Sequence, residues 1–373
     1  MPKRKLRSDS VREKEGCTRV LRPRLTGNAP LESENQKEEI SIIRKTNPAN
    51  TSSSNVSKEP TRNLYTNIPE ILLSSAQQST ISSILTVISK SLSGLRLRKG
   101  SVTPRQIPPE HQTYASAISR SSLLADRLLA FRTSGPSFNA IKNTLLPPKA
   151  VTPPSEVNSL FLTRWISMRL FAFGHPDLIS ALGTVKRPQD VLDAREAYKK
   201  TSGLGVNSLP AYGNVRFDPK RVPGYVDRLF MDGPRLFAAI AEAKGRMGGV
   251  VLFNDMMELI EEAEIPYHSS GTLFQWLLAC DFAELQAFVA PPTARDLACR
   301  IECCVKRKKG GSGAWNGLVR DVEESDWPEL TVDNLTDYLE GIYRGVKERL
   351  GTQEVLFGER GFWYSDLEHC LCK

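Results

Sequence analysis

Between Ile81 and Leu95, apolar residues at 81, 84, 85, 88, 92 and 95 recur with a rhythm that places them on one face of a helix. The same pattern returns at Ile118, Leu123, Leu124, Leu128 and Leu129 within 114–131, and at Leu252, Met256, Leu259, Ile260 and Ala263 within 250–264. Further helices are predicted over 188–200 and 234–244, where a leading proline suits a first turn. Others are predicted over 155–173 behind a Ser155 cap, over 273–288, over 293–305 and over 331–350. Thr293 and Asp296 have the spacing of a capping box, and Gly351 suits a helix stop. Strand patterns are confined to Asn214–Phe217 and Val355–Phe357. The predicted class is mostly α, an irregular helical globular region.

The first 63 residues break this rhythm. They are rich in Ser, Asn, Thr, Glu, Lys and Pro, with isolated apolar residues. Such a segment buries too little apolar area to offset its conformational entropy. Residues 1–110 hold 19 Lys and Arg against 10 Asp and Glu, whereas 111–373 hold 31 against 32. The net charge of +8 therefore belongs to the N-terminal part. The predicted organisation is a disordered basic arm over 1–110 with an amphipathic helix near 80–96, a helical linker region over 111–150, and a helical globular domain over 151–373. The amphipathic helix is open to two readings, packing on the chain's own core or docking to a partner.

Seven cysteines form an odd set, and the Lys/Arg-rich start is followed by no apolar core of a signal peptide. Reduced thiols in the nucleus or cytoplasm are expected. A run of about 18 apolar residues, long enough to span a bilayer, is lacking, so no membrane partner is predicted.

Three clusters could carry function. Lys3, Arg4, Lys5 and Arg7 have the composition of a nuclear import signal, which would engage an import receptor. Lys306, Arg307, Lys308 and Lys309 precede a Gly-rich stretch and could contact phosphates; equally, basic residues at a helix C-terminus complement its dipole. Cys299, Cys303 and Cys304 could supply half of a tetrahedral metal site, but no second half has suitable spacing, and buried structural cysteines are the simpler reading. The four histidines lie in no Cys-His signature, and the Gly310–Gly313 stretch has neither Walker spacing nor a nucleophile elbow. No enzyme activity and no cofactor are expected.

Trp165-Ile166-Ser167-Met168-Arg169-Leu170, Phe173-Gly174-His175-Pro176 and Phe274-Gln275-Trp276-Leu277-Leu278, set in a helical body behind a basic N-terminus, resemble the HPG-domain family. These are mating-type proteins of filamentous ascomycetes, the second protein of the mating-type A idiomorph. The family is named for characteristic His, Pro and Gly residues. The candidates here are His175, Pro176 and Gly183, with Pro266, His268 and Gly271 as a competing set in another order. The resemblance implies a non-enzymatic regulator of sexual development after fertilisation, in fruiting-body and ascospore formation, with other mating-type or developmental regulatory proteins as partners. The alternatives are a nonspecific nucleic-acid-binding or chromatin-associated protein using the basic arm, and a cytoplasmic scaffold.

Overall fold

The computed structural model describes residues 73–146, 158–203, 218–265, 272–285, 289–306, 313–358 and 360–373. The helices are α1 (Ser75–Arg98), α2 (Pro109–Arg120), α3 (Ser122–Leu128), α4 (Pro136–Leu145), α5 (Ser159–Phe171), α6 (Pro176–Leu182) and α7 (Pro188–Ser202). They continue with α8 (Val222–Arg246), α9 (Phe253–Glu262), α10 (Thr272–Glu284), α11 (Ala294–Lys306), α12 (Gly313–Val319), α13 (Val332–Leu350) and α14 (Tyr364–Leu371). Among the described residues the only β pairing is a single parallel bridge between Val251 and Val289. The fold is mostly α, as the periodicity requires.

Two helices are wrapped by protein almost all round. In α5 every residue from Phe161 to Phe171 is buried except Arg164, and in α10 every residue from Phe274 to Ala283 is buried. Such helices form the middle of a body rather than its surface. A third, α14, is buried at every position from Ser365 to Leu371. Around them the amphipathic helices turn in one face each: Leu335, Leu339, Ile342 and Val346 on α13, and Met256 and Ile260 on α9.

The helix read near residues 80–96 is α1. Its Ile81, Ile84 and Ile88 are buried, and it packs on α2 and α13, so its apolar face is taken up by this chain. Limits drawn at residues 110 and 150 from charge and proline do not coincide with limits of packing. Residues from Ile81 to Leu371 share one hydrophobic core, within a compact unit over Asn67–Lys373. Charge reports exposed side chains, and α1 shows a polar face to solvent while burying the other.

Several expected element limits shift for local reasons. The helix at 155–173 begins at Ser159, where the Asn158 side chain accepts a hydrogen bond from the Phe161 amide at 2.9 Å. The segment 114–131 is two helices, divided at Ser121, whose extended backbone and side-chain cap restart the chain as α3. The helix expected from Pro234 is the second half of α8, which runs through that proline despite the missing N–H. Val355–Phe357, read as a strand, lies in a 3-10 turn (Gly351–Phe357) that sets Phe357 edge-on to Phe131 at 5.0 Å. Asn214–Phe217 and Ser155 lie outside the described residues. The Thr293 and Asp296 box forms as its spacing implies, with the Thr293 amide donating to Asp296 at 2.7 Å.

Candidate functional site

Asp281 sits inside the apolar run of α10, where a lone carboxylate would be costly unless paired. Three donors from elsewhere in the chain supply the pairing. Arg132, in the turn after α3, forms an ion pair with Asp281 Oδ1 and also donates to the Leu277 carbonyl at 2.7 Å. From α5, Arg169 Nε lies 3.4 Å from Asp281 Oδ2, and Trp165 Nε1 donates to the same oxygen at 3.3 Å. The Arg169 guanidinium also covers the Phe173 ring at 3.8 Å, which shields it further from water.

A second buried group lies toward α14. Arg360 donates to Glu284 of α10 at 2.6 and 2.5 Å and to Asp366 of α14 at 2.6 and 3.1 Å. One guanidinium thereby joins two carboxylates in paired geometry, which a planar fork permits. Arg300 of α11 reaches Glu368 of α14 at 3.2 Å. His369 Nε2 lies 2.8 Å from the Leu129 carbonyl. A carbonyl only accepts, so Nε2 carries the proton. Burial, followed by the positive charges of Lys373 and Arg132, holds this imidazole neutral, well below the usual histidine range.

Asp126 completes the set from α3. Its two oxygens accept from the Ser137 amide at 2.9 Å and the Ser137 hydroxyl at 2.5 Å. Burial pushes its carboxyl up to about 6, against the opposing pull of those two bonds. Ser137 Oγ in turn accepts from the Gly174 amide at 2.8 Å, which fixes the turn Phe173-Gly174-His175-Pro176. Asp126, Arg132, Arg169, Asp281 and His369 all line one cavity of about 20 Å³. The chemistry of this centre is ionic cross-linking of buried helices. The nearby Cys280 and Cys370 thiols are pushed up by burial, so they are protonated at neutral pH.

The residues singled out from the sequence lie elsewhere. His175 precedes α6 and is 2% exposed, with Nδ1 3.0 Å from the Tyr198 hydroxyl and the two rings edge-on at 5.2 Å. Burial and the Arg195 charge lower its affinity for a second proton. Pro176 opens α6, and Gly183 closes it. A methyl at Gly183 would overlap the Thr144 side chain of α4, so the glycine allows the two helices to approach. These three residues bracket one short helix and are not brought to Asp281. Lys306 ends α11 and its ammonium lies 2.9 Å from Glu302. Arg307, Lys308, Lys309, Lys3, Arg4, Lys5 and Arg7 lie outside the described residues, as do Pro266, His268 and Gly271. Among the described residues no group of three or more His, Cys, Asp or Glu side chains could hold a metal ion, and Cys299, Cys303 and Cys304 are partly buried. No described helix is long and apolar enough to cross a membrane.

No sequence motif marks Arg132, Asp281, Arg300, Arg360, Asp366 and Glu368 as a group. Partners stand as far apart as 149 positions, so spacing reveals none of them. One signal was present: Arg169 and Asp281 are charges embedded in otherwise apolar helices. No family model matches the chain, and no curated protein or solved structure matches it.

Proposed function

We propose that this chain is a non-enzymatic mating-type regulatory protein, similar to the HPG-domain family, that acts in sexual development after fertilisation through protein contacts of its helical body. The reading rests first on the resemblance. What supports it in three dimensions is that two of the stretches carrying that resemblance, 165–170 and 274–278, belong to α5 and α10 and are joined through Asp281. The third, Phe173–Pro176, is tied to Asp126 through Ser137. The resembling residues are thus parts of one core. Under this proposal Lys3, Arg4, Lys5 and Arg7 serve nuclear import.

Deletion of the gene followed by crosses tests the reading. The expected result is normal vegetative growth and mating, with fruiting bodies or ascospores lost. Normal ascospore yield from the deletion strain would sink it.

A further inference from the structure

We propose that the cavity between α3, α5, α10 and α14 is a binding site for one water molecule, which links Asp126 to the Arg169 and Asp281 pair. The volume is the first argument. A water needs roughly 10–15 Å³ of such space, and this cavity offers about 20 Å³. Organic ligands occupy pockets of about 300–1,000 Å³, so none fits here.

The lining is the second argument. Cavities walled by aliphatic side chains stay empty, whereas polar ones of this size fill. Here Leu129, Phe131, Phe138 and Phe173 form the apolar part of the wall, and Asp126, Arg132, Arg169, Asp281 and His369, all at least nine-tenths buried, bring polar atoms to it. They come from separate parts of the chain, so a single guest touches several elements at once.

Charge selects the guest. The wall carries two guanidiniums and two carboxylates, and the imidazole is neutral, so the site has no net charge to attract a free anion or cation. Water both donates and accepts, and it can satisfy the Asp126 carboxyl in either protonation state. Asp126 oxygens each have a second lone pair beyond the Ser137 bonds, which gives the water a place to donate.

A crystal structure of the full chain, at a resolution that shows other buried waters, tests this. The expected result is one peak in the cavity within about 2.7–3.2 Å of an Asp126 oxygen and of at least one Arg169 or Asp281 atom, with no anomalous signal. Flat density in a well-ordered cavity overturns the proposal. A peak that gains anomalous signal in crystals grown with bromide also overturns it, because the guest is then an anion.

Discussion

Arg169 of α5 and Asp281 of α10 lie 3.4 Å apart, and both side chains are withdrawn from solvent, at 1% and 0% exposure. Arg132 reaches the same carboxylate from outside both helices. The middle of this body is therefore joined by charge as well as by apolar packing.

Removing the shared carboxylate should be far more damaging than removing a surface ion pair. Asp281→Ala leaves two buried guanidiniums without their counter-charge, at a cost of about 3–5 kcal/mol. Arg344→Ala, which removes an exposed pair with Glu340, should cost only about 0.3–0.5 kcal/mol. Urea unfolding followed by circular dichroism compares the two. Equal midpoints would refute a central role for Asp281.

Arg360 makes a demand that lysine cannot meet. Its fork serves Glu284 and Asp366 at once, whereas one ammonium is a point charge with a different reach. Arg360→Lys should cost about 2–3 kcal/mol by leaving part of a charged hydrogen-bond set unmade. Chemical denaturation reads this directly, and a variant as stable as the parent would show that one contact suffices.

Stability should depend on pH through Asp126 with a definite sign. Its folded-state value is raised, to about 6 from 3.8, so its stabilising contribution is complete below 3.8 and is lost as pH rises through about 6. The loss is on the order of 3 kcal/mol. His369 works the other way, since a buried neutral imidazole loses stability as pH falls below its ordinary 6.5. The difference between the parent and Asp126→Asn isolates the carboxyl. That difference should change between pH 4 and pH 7 in the stated direction; a flat difference would show that Asp126 titrates normally.

Two glycines should respond to alanine with opposite signs. At Gly317 of α12 a methyl would overlap the Leu371 backbone carbonyl of α14, which cannot rotate away as a side chain could. At Gly245 of α8 nothing lies near the added carbon. Gly317→Ala should lower the thermal midpoint, while Gly245→Ala should raise stability by up to about 1 kcal/mol through helix propensity. A stabilising Gly317→Ala would mean that α12 does not lie so close to α14.

Much of the helical framework was legible because it depends on local chemistry. The apolar stretch Leu273–Phe282 announces a central helix, and the Thr293 and Asp296 spacing announces a start. Pro234 misled the reading of α8, since tertiary packing holds a helix through a residue that ordinarily begins one. Ser121 was hidden within a continuous apolar pattern, although it divides α2 from α3. The ionic centre was illegible as a constellation. Arg132, Arg169 and Asp281 meet only after the chain folds, as do Arg360 and Glu284, and a sequence shows the isolated charges without their partners. The candidates chosen by resemblance, His175 and Gly183, instead flank α6, where burial and close approach account for both.

We propose that the helical body carries a role in sexual development. Reintroducing residues 67–373, fused to an unrelated nuclear import signal, into a deletion strain tests it most directly, with ascospore yield as the measurement. Yield restored to that of the full chain is the predicted result, and yield should fall again when the body carries Asp281→Ala. A body that accumulates in the nucleus yet leaves the deletion strain barren, while the full chain restores it, would contradict the account.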